Sequence, residues 1–115
     1  MFVEENGLLR PKYDLKLKQV DSWVNDLEVA LPHVQRRGSF RCAVQAGGAY
    51  GVWPLRLAPA FDAVYTFEPD KLNFTCLAWN LRFTNNVVAM QAALSAAALT
   101  SLRFDQQPRL EGFCN

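Results

Sequence analysis

The sequence predicts an α/β protein whose helices flank a parallel sheet, and three observations support this fold class. Runs of β-branched and aromatic residues alternate with helical patterns between residues 40 and 95. A glycine-rich stretch follows the first of these runs, and the second run ends at an acidic residue. With 115 residues, half of them hydrophobic and a fifth charged, the chain is expected to form one small domain with a hydrophobic core.

Residues 1–38 are predicted to form a lead-in followed by an amphipathic helix. Residues 1–14 show no clear period and are interpreted as irregular. From residue 15 to residue 34, apolar side chains recur at spacings of three and four, which is typical of a helix, and Pro32 is expected to end or kink it. The basic residues and the glycine at 36–38 indicate a last turn and a stop. The apolar stripe consists of Leu17, Val20, Val24, Leu27 and Leu31.

Residues 39–115 are predicted to form a partial Rossmann-like domain in which strands and helices alternate. The expected strands are 40–44, 63–67, 87–90 and 99–104, and the expected helices are 52–58 and 71–82. Pro54 is tolerated in the first turn of a helix, and Pro59 is expected to close that helix early. The first strand reads as a buried one.

The glycines and the acid at the ends of the first two strands are the candidate binding residues. Gly47, Gly48 and Gly51 carry no Cβ atom, so the backbone can turn sharply and approach a ligand closely. Glu68 follows the second strand, where a carboxylate can accept hydrogen bonds from both hydroxyls of a ribose. Each feature taken alone has a simpler explanation. The glycines could form a tight surface turn, and Glu68 could be a solvated acid at the start of a helix, with Asp70 as the N-cap residue. Together they predict a ligand that contains adenosine.

This geometry does not distinguish an NAD site from an S-adenosylmethionine site, whereas a family resemblance does. The resemblance rests on residues 44–53, on residues 64–70 with the sequence VYTFEPD, and on residues 92–95 with the sequence AALS. Between the last two segments lie Asn73, Leu77 and Asn80. In this order and spacing these residues resemble the FkbM-type S-adenosylmethionine-dependent methyltransferases. The resemblance covers roughly residues 40–112. It implies a class I methyltransferase fold that is truncated here, because the family's later acidic motif near the methyl group has no counterpart.

The resemblance also implies roles for nine residues, as ligands of S-adenosylmethionine. They are Gln45, Gly47, Gly48, Ala49 and Gly51 at the methionine part, Glu68 and Pro69 at the ribose, and Gln91 and Ala92 beside the adenine. The family commonly has an aspartate where this chain has Gln45, and the lost charge predicts weaker binding of the methionine end. The implied activity is methyl transfer, O-methylation of a small-molecule or glycan hydroxyl. No residue is assigned to catalysis.

The net charge, the cysteines and the lengths of the apolar runs predict where the protein is located and which partners it lacks. A net charge of +1 provides no field to recruit nucleic acid or an anionic membrane. Three widely spaced cysteines argue against a disulfide framework and against a zinc site, so reduced thiols, no metal and a cytoplasmic location are expected. No apolar run approaches the length of a membrane span. His33 is interpreted as a capping or surface residue. The compact form of the glycine loop suggests a phage or bacterial origin.

The three tryptophans, Trp23, Trp53 and Trp79, are interpreted as core or helix-packing residues. A parallel sheet of three strands would leave its first strand exposed at one edge, and a homo-oligomer or a partner chain is expected to cover it. The alternative to an enzyme is a non-catalytic cofactor-binding or interaction module that keeps this half of the fold.

Overall fold

The computed structural model describes residues 2–12, 17–36 and 41–97, which form five strands and three α-helices. In chain order these are β1 (Phe2–Glu5), β2 (Leu8–Pro11), α1 (Leu17–Gln35), β3 (Cys42–Ala46), α2 (Val52–Leu57), β4 (Ala63–Phe67), α3 (Lys71–Asn80) and β5 (Val87–Met90). A 3-10 turn at Ala58–Ala60 follows α2. The predicted strand at 99–104 and Cys114 lie outside the described residues.

The amino-terminal residues form a β-hairpin, so the prediction of an irregular lead-in was wrong. β1 pairs antiparallel with β2, from Phe2 opposite Pro11 to Glu5 opposite Leu8. The two-residue turn between them is Asn6-Gly7, and both residues have positive φ, at 52° and 78°. Two positive φ values are what a type I′ hairpin turn requires, and Asn-Gly is the dipeptide that adopts it most readily.

Helix α1 confirms the predicted amphipathic helix, and the described part of its stripe, from Trp23 to Leu31, packs on the rest of the fold. Leu27 is buried, and Trp23, Val24 and Leu31 are half-buried against the core. The helix does not end at Pro32 but continues to Gln35. Near its carboxyl end the Arg36 side chain donates a hydrogen bond to the Pro32 carbonyl oxygen, in agreement with its predicted place in the last turn.

The central sheet is parallel, with strand order β3-β4-β5. Cys42 lies opposite Ala63 at one end, and at the other end Ala46, Phe67 and Met90 are in register. β4 and β5 have the predicted bounds, whereas β3 begins and ends two residues later than predicted. Gln45 and Ala46 therefore belong to the strand and not to the glycine loop. The prediction that this strand is buried was also wrong, because its residues alternate between exposed and half-buried.

Helix α2 contains Pro54 in its first turn, as predicted, and passes into the 3-10 turn before β4. Pro59 therefore lies inside that turn and does not terminate the helix directly. Asn86, in the predicted turn before β5, donates hydrogen bonds to the Ala58 and Phe61 carbonyl oxygens at 2.7 and 2.9 Å. These two hydrogen bonds hold the turn before β5 against the segment before β4.

The core lies between the helices and one face of the sheet. Leu27, Leu57 and Val64 form one buried cluster, and Trp53 packs against both this cluster and a second one. The second cluster consists of Tyr50, Val52 and Cys76. The Trp53 indole N–H donates to the Trp23 carbonyl oxygen at 2.8 Å, which confirms helix packing for both tryptophans. Trp79 is 53% exposed, so the prediction for it was wrong. The Arg82 guanidinium stacks on its ring.

The opposite face of the sheet carries exposed apolar side chains. The register places Val44, Tyr65 and Val88 side by side on this face, with exposed fractions of 65%, 38% and 48%. Alternate residues point to the helices and are buried, such as Val64, or half-buried, such as Ala43 and Val87. Within the described residues β3 pairs only with β4, so it forms one edge of the sheet, as the sequence predicts.

Candidate functional site

The glycine bend and the predicted acid lie together at the carboxyl edge of the sheet. Because β3 and β4 are parallel and in register up to Ala46 and Phe67, the residues that follow each strand meet at one edge. The Gly47 and Gly48 N–H groups both donate to the Phe67 carbonyl oxygen, at 2.8 and 3.0 Å. The bend after β3 is thus attached to the end of β4, one residue before Glu68.

Glu68 braces the bend from inside the fold. Its side chain is only 4% exposed. One carboxylate oxygen, Oε2, accepts a hydrogen bond from the Ala49 N–H at 2.8 Å, and Oε1 accepts one from the Asp70 N–H at 2.9 Å. A carboxylate can accept more than two hydrogen bonds, so this bracing is compatible with binding of ribose hydroxyls. The sequence predicts the ligand role, and the structure adds the bracing role.

Three residues of the bend have a left-handed backbone, which explains its composition. Gly47, Ala49 and Gly51 have φ values of 80°, 47° and 109°. Glycine adopts such values without the steric cost that other residues carry. Gly51 also serves as the N-cap residue of α2. Gly47 and Gly51 are therefore needed for the backbone geometry of the bend itself.

Gly48 has a different role, which is close packing. A Cβ atom at this position would collide with the Thr66 hydroxyl oxygen and lie 3.2 Å from Cδ2 of Leu77. Leu77 is fully buried beneath the bend, where its Cδ1 would lie 3.4 Å from a Cβ at Gly51. The absent side chain lets α3 approach the sheet closely.

A cavity of about 350 Å³ opens at this edge, within the roughly 300–1,000 Å³ typical of small-molecule sites. Its lining combines a single carboxylate and a single amide side chain with apolar surface. The lining residues are Ala46, Gly47, Ala49, Phe67, Glu68, Pro69, Asn73, Ala92, Ala93 and Leu94. They come from the ends of all three parallel strands and from the first turn of α3.

Five of the nine predicted ligand residues line this cavity: Gly47, Ala49, Glu68, Pro69 and Ala92. The other four, Gln45, Gly48, Gly51 and Gln91, are not part of the lining. Gln45 is instead held by its amide, which accepts from the Thr66 hydroxyl at 2.8 Å and donates to the Gly47 carbonyl oxygen at 3.2 Å. Its contact with the methionine end stays a prediction.

Three lining residues were not predicted from the sequence as part of the site: Ala93 and Leu94 after β5, and Asn73 in α3. Ala93 and Leu94 follow the carboxyl end of β5, and that position is itself a signal, because loops at this end of parallel strands form ligand sites. Asn73 is 99% buried in the first turn of α3. Its N–H donates to the Asp70 carboxylate at 2.9 Å, so Asp70 is the N-cap residue, as its sequence position suggests.

The helix α3 carries two further groups that fix the site's surroundings. Asn80 at its end donates to the carbonyl oxygens of Leu9 and Tyr50 and accepts from the Leu9 N–H, at 2.8, 2.6 and 2.8 Å. The hairpin and the bend are therefore attached to the same side chain.

Burial raises the pKa of the Cys76 thiol to about 11, and the Asp70 carboxylate adds to the rise. Cys76 is therefore protonated at neutral pH.

Neither a metal site nor a membrane-spanning helix is present among the described residues. No cluster of three histidine, cysteine or acidic side chains there could hold a metal ion. Of the helices described, none is long and apolar enough to cross a bilayer.

The parallel sheet, the flanking helices and the glycine bend together form a Rossmann-like α/β fold, as the sequence predicts. The crystal structure of wild-type Trm5b from Pyrococcus abyssi is similar, with a TM-score of 0.52 and 17% sequence identity over 76% of this chain. The chain spans about a quarter, 26%, of the length of that Trm5b chain. No protein-family model and no curated protein matches the sequence. The fold class is thus confirmed, while the FkbM-type resemblance stays a prediction from the motifs.

Proposed function

We propose that this chain binds S-adenosylmethionine in the cavity at the carboxyl edge of the sheet and belongs to a methyltransferase. One observation carries the proposal: the glycine bend and the Glu68 carboxylate converge on one cavity, as a nucleoside site requires. The fold similarity supports a methyltransferase ancestry of this half. The motif resemblance favours the FkbM type and O-methylation of a small-molecule or glycan hydroxyl.

The chemistry of the lining fits the parts of this cofactor. The Glu68 carboxylate can accept hydrogen bonds from the ribose hydroxyls, and the apolar residues Pro69, Ala93 and Leu94 offer a surface for the adenine ring. The carboxylate also favours a ligand that carries positive charge, and the cofactor has a sulfonium and an ammonium group. Gln91 and Ala92 remain candidate neighbours of the adenine.

The chain's own contribution to the reaction would be to position the cofactor. When bound, S-adenosylmethionine supplies an activated methyl group with a sulfonium leaving group. The bend and Glu68 would hold the nucleoside and so fix the position of the methyl group relative to an acceptor. No side chain of the described residues is assigned as a general base.

Calorimetric titration with S-adenosylmethionine tests the binding. We expect Glu68→Ala to weaken binding by about 1–3 kcal/mol, because the ribose loses a charged acceptor. Since this change also removes two internal hydrogen bonds, a second variant, Ala93→Trp, fills the cavity from its exposed wall. Ala30→Trp, on the exposed face of α1, is the matched control. Absence of binding by the wild type, or unchanged affinity in Ala93→Trp, would reject the site.

A second candidate function is a non-catalytic module, and the exposed apolar face around Val44 and Tyr65 favours it. In this reading a second copy or a partner chain covers the open edge at β3. Transfer of labelled methyl groups to a panel of hydroxyl acceptors separates the two functions. Turnover supports the enzyme, and binding without turnover supports the module. Light scattering of the wild type and of Val44→Lys tests whether the open edge mediates self-association.

A further inference from the structure

The backbone donors of the glycine bend are used within the protein. Sites for phosphate at such bends work because several backbone N–H groups point at the ligand. Here the Gly47 and Gly48 N–H groups donate to the Phe67 carbonyl oxygen, and the Gly51 N–H donates to the Gly48 carbonyl oxygen at 2.9 Å. Three of the five amides between residues 47 and 51 therefore have backbone acceptors.

A fourth amide, that of Ala49, donates to the Glu68 carboxylate. The Glu68 carboxylate therefore accepts the hydrogen bond that the Ala49 N–H could otherwise donate to a phosphate oxygen. Asp70 adds a second acidic group behind it and is fully buried. Among the described residues that line the cavity, none is basic. A phosphate in this cavity would face the negative charge of Glu68, and the described lining residues provide no cation to compensate it.

The amino terminus of α2, where a dinucleotide fold binds its pyrophosphate, is closed by packing. Gly51 and Val52 are buried, and neither lines the cavity. The Tyr50 carbonyl oxygen beside them accepts from Asn80, and Leu8 and Leu9 of the hairpin pack over the same cluster. The hairpin and α3 thus cover the end of α2 that would otherwise attract an anion.

We infer that the cavity selects adenosine derivatives that lack phosphate and discriminates against AMP, ADP and NAD. This inference rests on the proposed nucleoside site and adds its specificity. Glu68 is the residue that determines it, because its carboxylate occupies the Ala49 N–H donor of the bend and places negative charge at the cavity. The sequence alone does not distinguish NAD from S-adenosylmethionine, and the internal hydrogen bonds of the bend support the ligand without phosphate.

A matched ligand series tests the specificity by calorimetry on the full chain. Adenosine, AMP and ADP share the base and the ribose and differ only in phosphate, and S-adenosylhomocysteine provides the thioether reference. We expect adenosine and S-adenosylhomocysteine to bind, and AMP and ADP to bind at least about ten-fold more weakly than adenosine. Equal or tighter binding of AMP would overturn the specificity and leave the nucleoside site intact. Failure of the whole series to bind would instead overturn the proposed function.

The variant Glu68→Gln tests the role of the charge. It keeps the shape of the side chain, so we expect the preference for adenosine over AMP to shrink several-fold. The same substitution at the exposed Glu4 of β1 is the control and should leave the preference unchanged. A preference in Glu68→Gln equal to that of the wild type would remove this carboxylate as its cause. If the variant does not fold, the ligand series on the wild type still decides the specificity.

Discussion

Two turns of this chain have similar backbone geometry and very different surroundings. The Asn6-Gly7 turn of the hairpin and the bend at Gly47–Gly51 both contain residues with positive φ. At Gly7 an added Cβ would meet no atom within 4 Å, whereas at Gly48 it would collide with a neighbouring strand and contact a helix. The first turn only connects two strands, while the second is attached to β4 and lines a cavity.

The difference shows that positive φ alone does not identify a binding site. What separates the two turns is where their backbone groups donate. The bend donates to the Phe67 carbonyl oxygen and to the Glu68 carboxylate, so its conformation is coupled to the neighbouring strand. A site can be held rigid by such coupling, and substitutions in the two turns should therefore have unequal effects.

The largest expected effect is that of Gly48→Ala. The new methyl group would collide with Thr66 and press on Leu77, and we expect a loss of about 3 kcal/mol in the free energy of unfolding. Gly7→Ala meets open space and carries only the left-handed backbone cost, about 1 kcal/mol. Urea unfolding of both variants measures the two losses. Equal losses would show that the bend is not more tightly packed than the hairpin turn.

Asn80→Ala tests whether the hairpin is fastened to the bend. The substitution removes three hydrogen bonds to Leu9 and Tyr50, and we expect a loss of about 2 kcal/mol in the free energy of unfolding. Faster amide exchange should appear in both the hairpin and the bend. Asn85→Ala, at an exposed turn position, is the control and should cost less than about 0.5 kcal/mol. Exchange confined to the hairpin would show that the two turns are independent.

The smallest effect concerns the thiol beneath the bend. Because the folded-state pKa of Cys76 is raised to about 11, from an ordinary value of 9.0, the folded protein retains a proton that the unfolded chain loses. The contribution of the protonated Cys76 thiol to the free energy of unfolding is fully present below pH 9 and is lost as the pH rises through 11. The difference in unfolding free energy between the wild type and Cys76→Ala should therefore shrink across this window. A difference independent of pH would mean that the thiol is not desolvated in the folded state.

Much of the fold could be predicted from local patterns. The bounds of β4 and β5, the helix α1 and the pairing of a glycine bend with an acid follow from side-chain periodicity and from the order of the elements. The hairpin does not follow from hydrophobic periodicity, because its strands are only four residues long, and its signal in the sequence is the Asn6-Gly7 dipeptide of the turn.

Other features depend on contacts between distant parts of the chain. The bracing of the bend by Glu68 and the triple contact of Asn80 join residues far apart in sequence, and no local spacing predicts them. The predicted end of β3, at residue 44, was wrong because Gln45 is polar and directly precedes the glycine bend. In the fold its polar amide is satisfied by Thr66 and by the bend, so it can remain in the strand.

The most direct measurement of the central claim is a map of amide chemical shifts on addition of S-adenosylhomocysteine. If the bend and the carboxylate hold one nucleoside, the largest changes should fall on Gly47, Ala49, Glu68 and residues 92–94, with little change at Asn6-Gly7. Changes confined to the hairpin or to the amino ends of the parallel strands, with these residues unaffected, would contradict the claim.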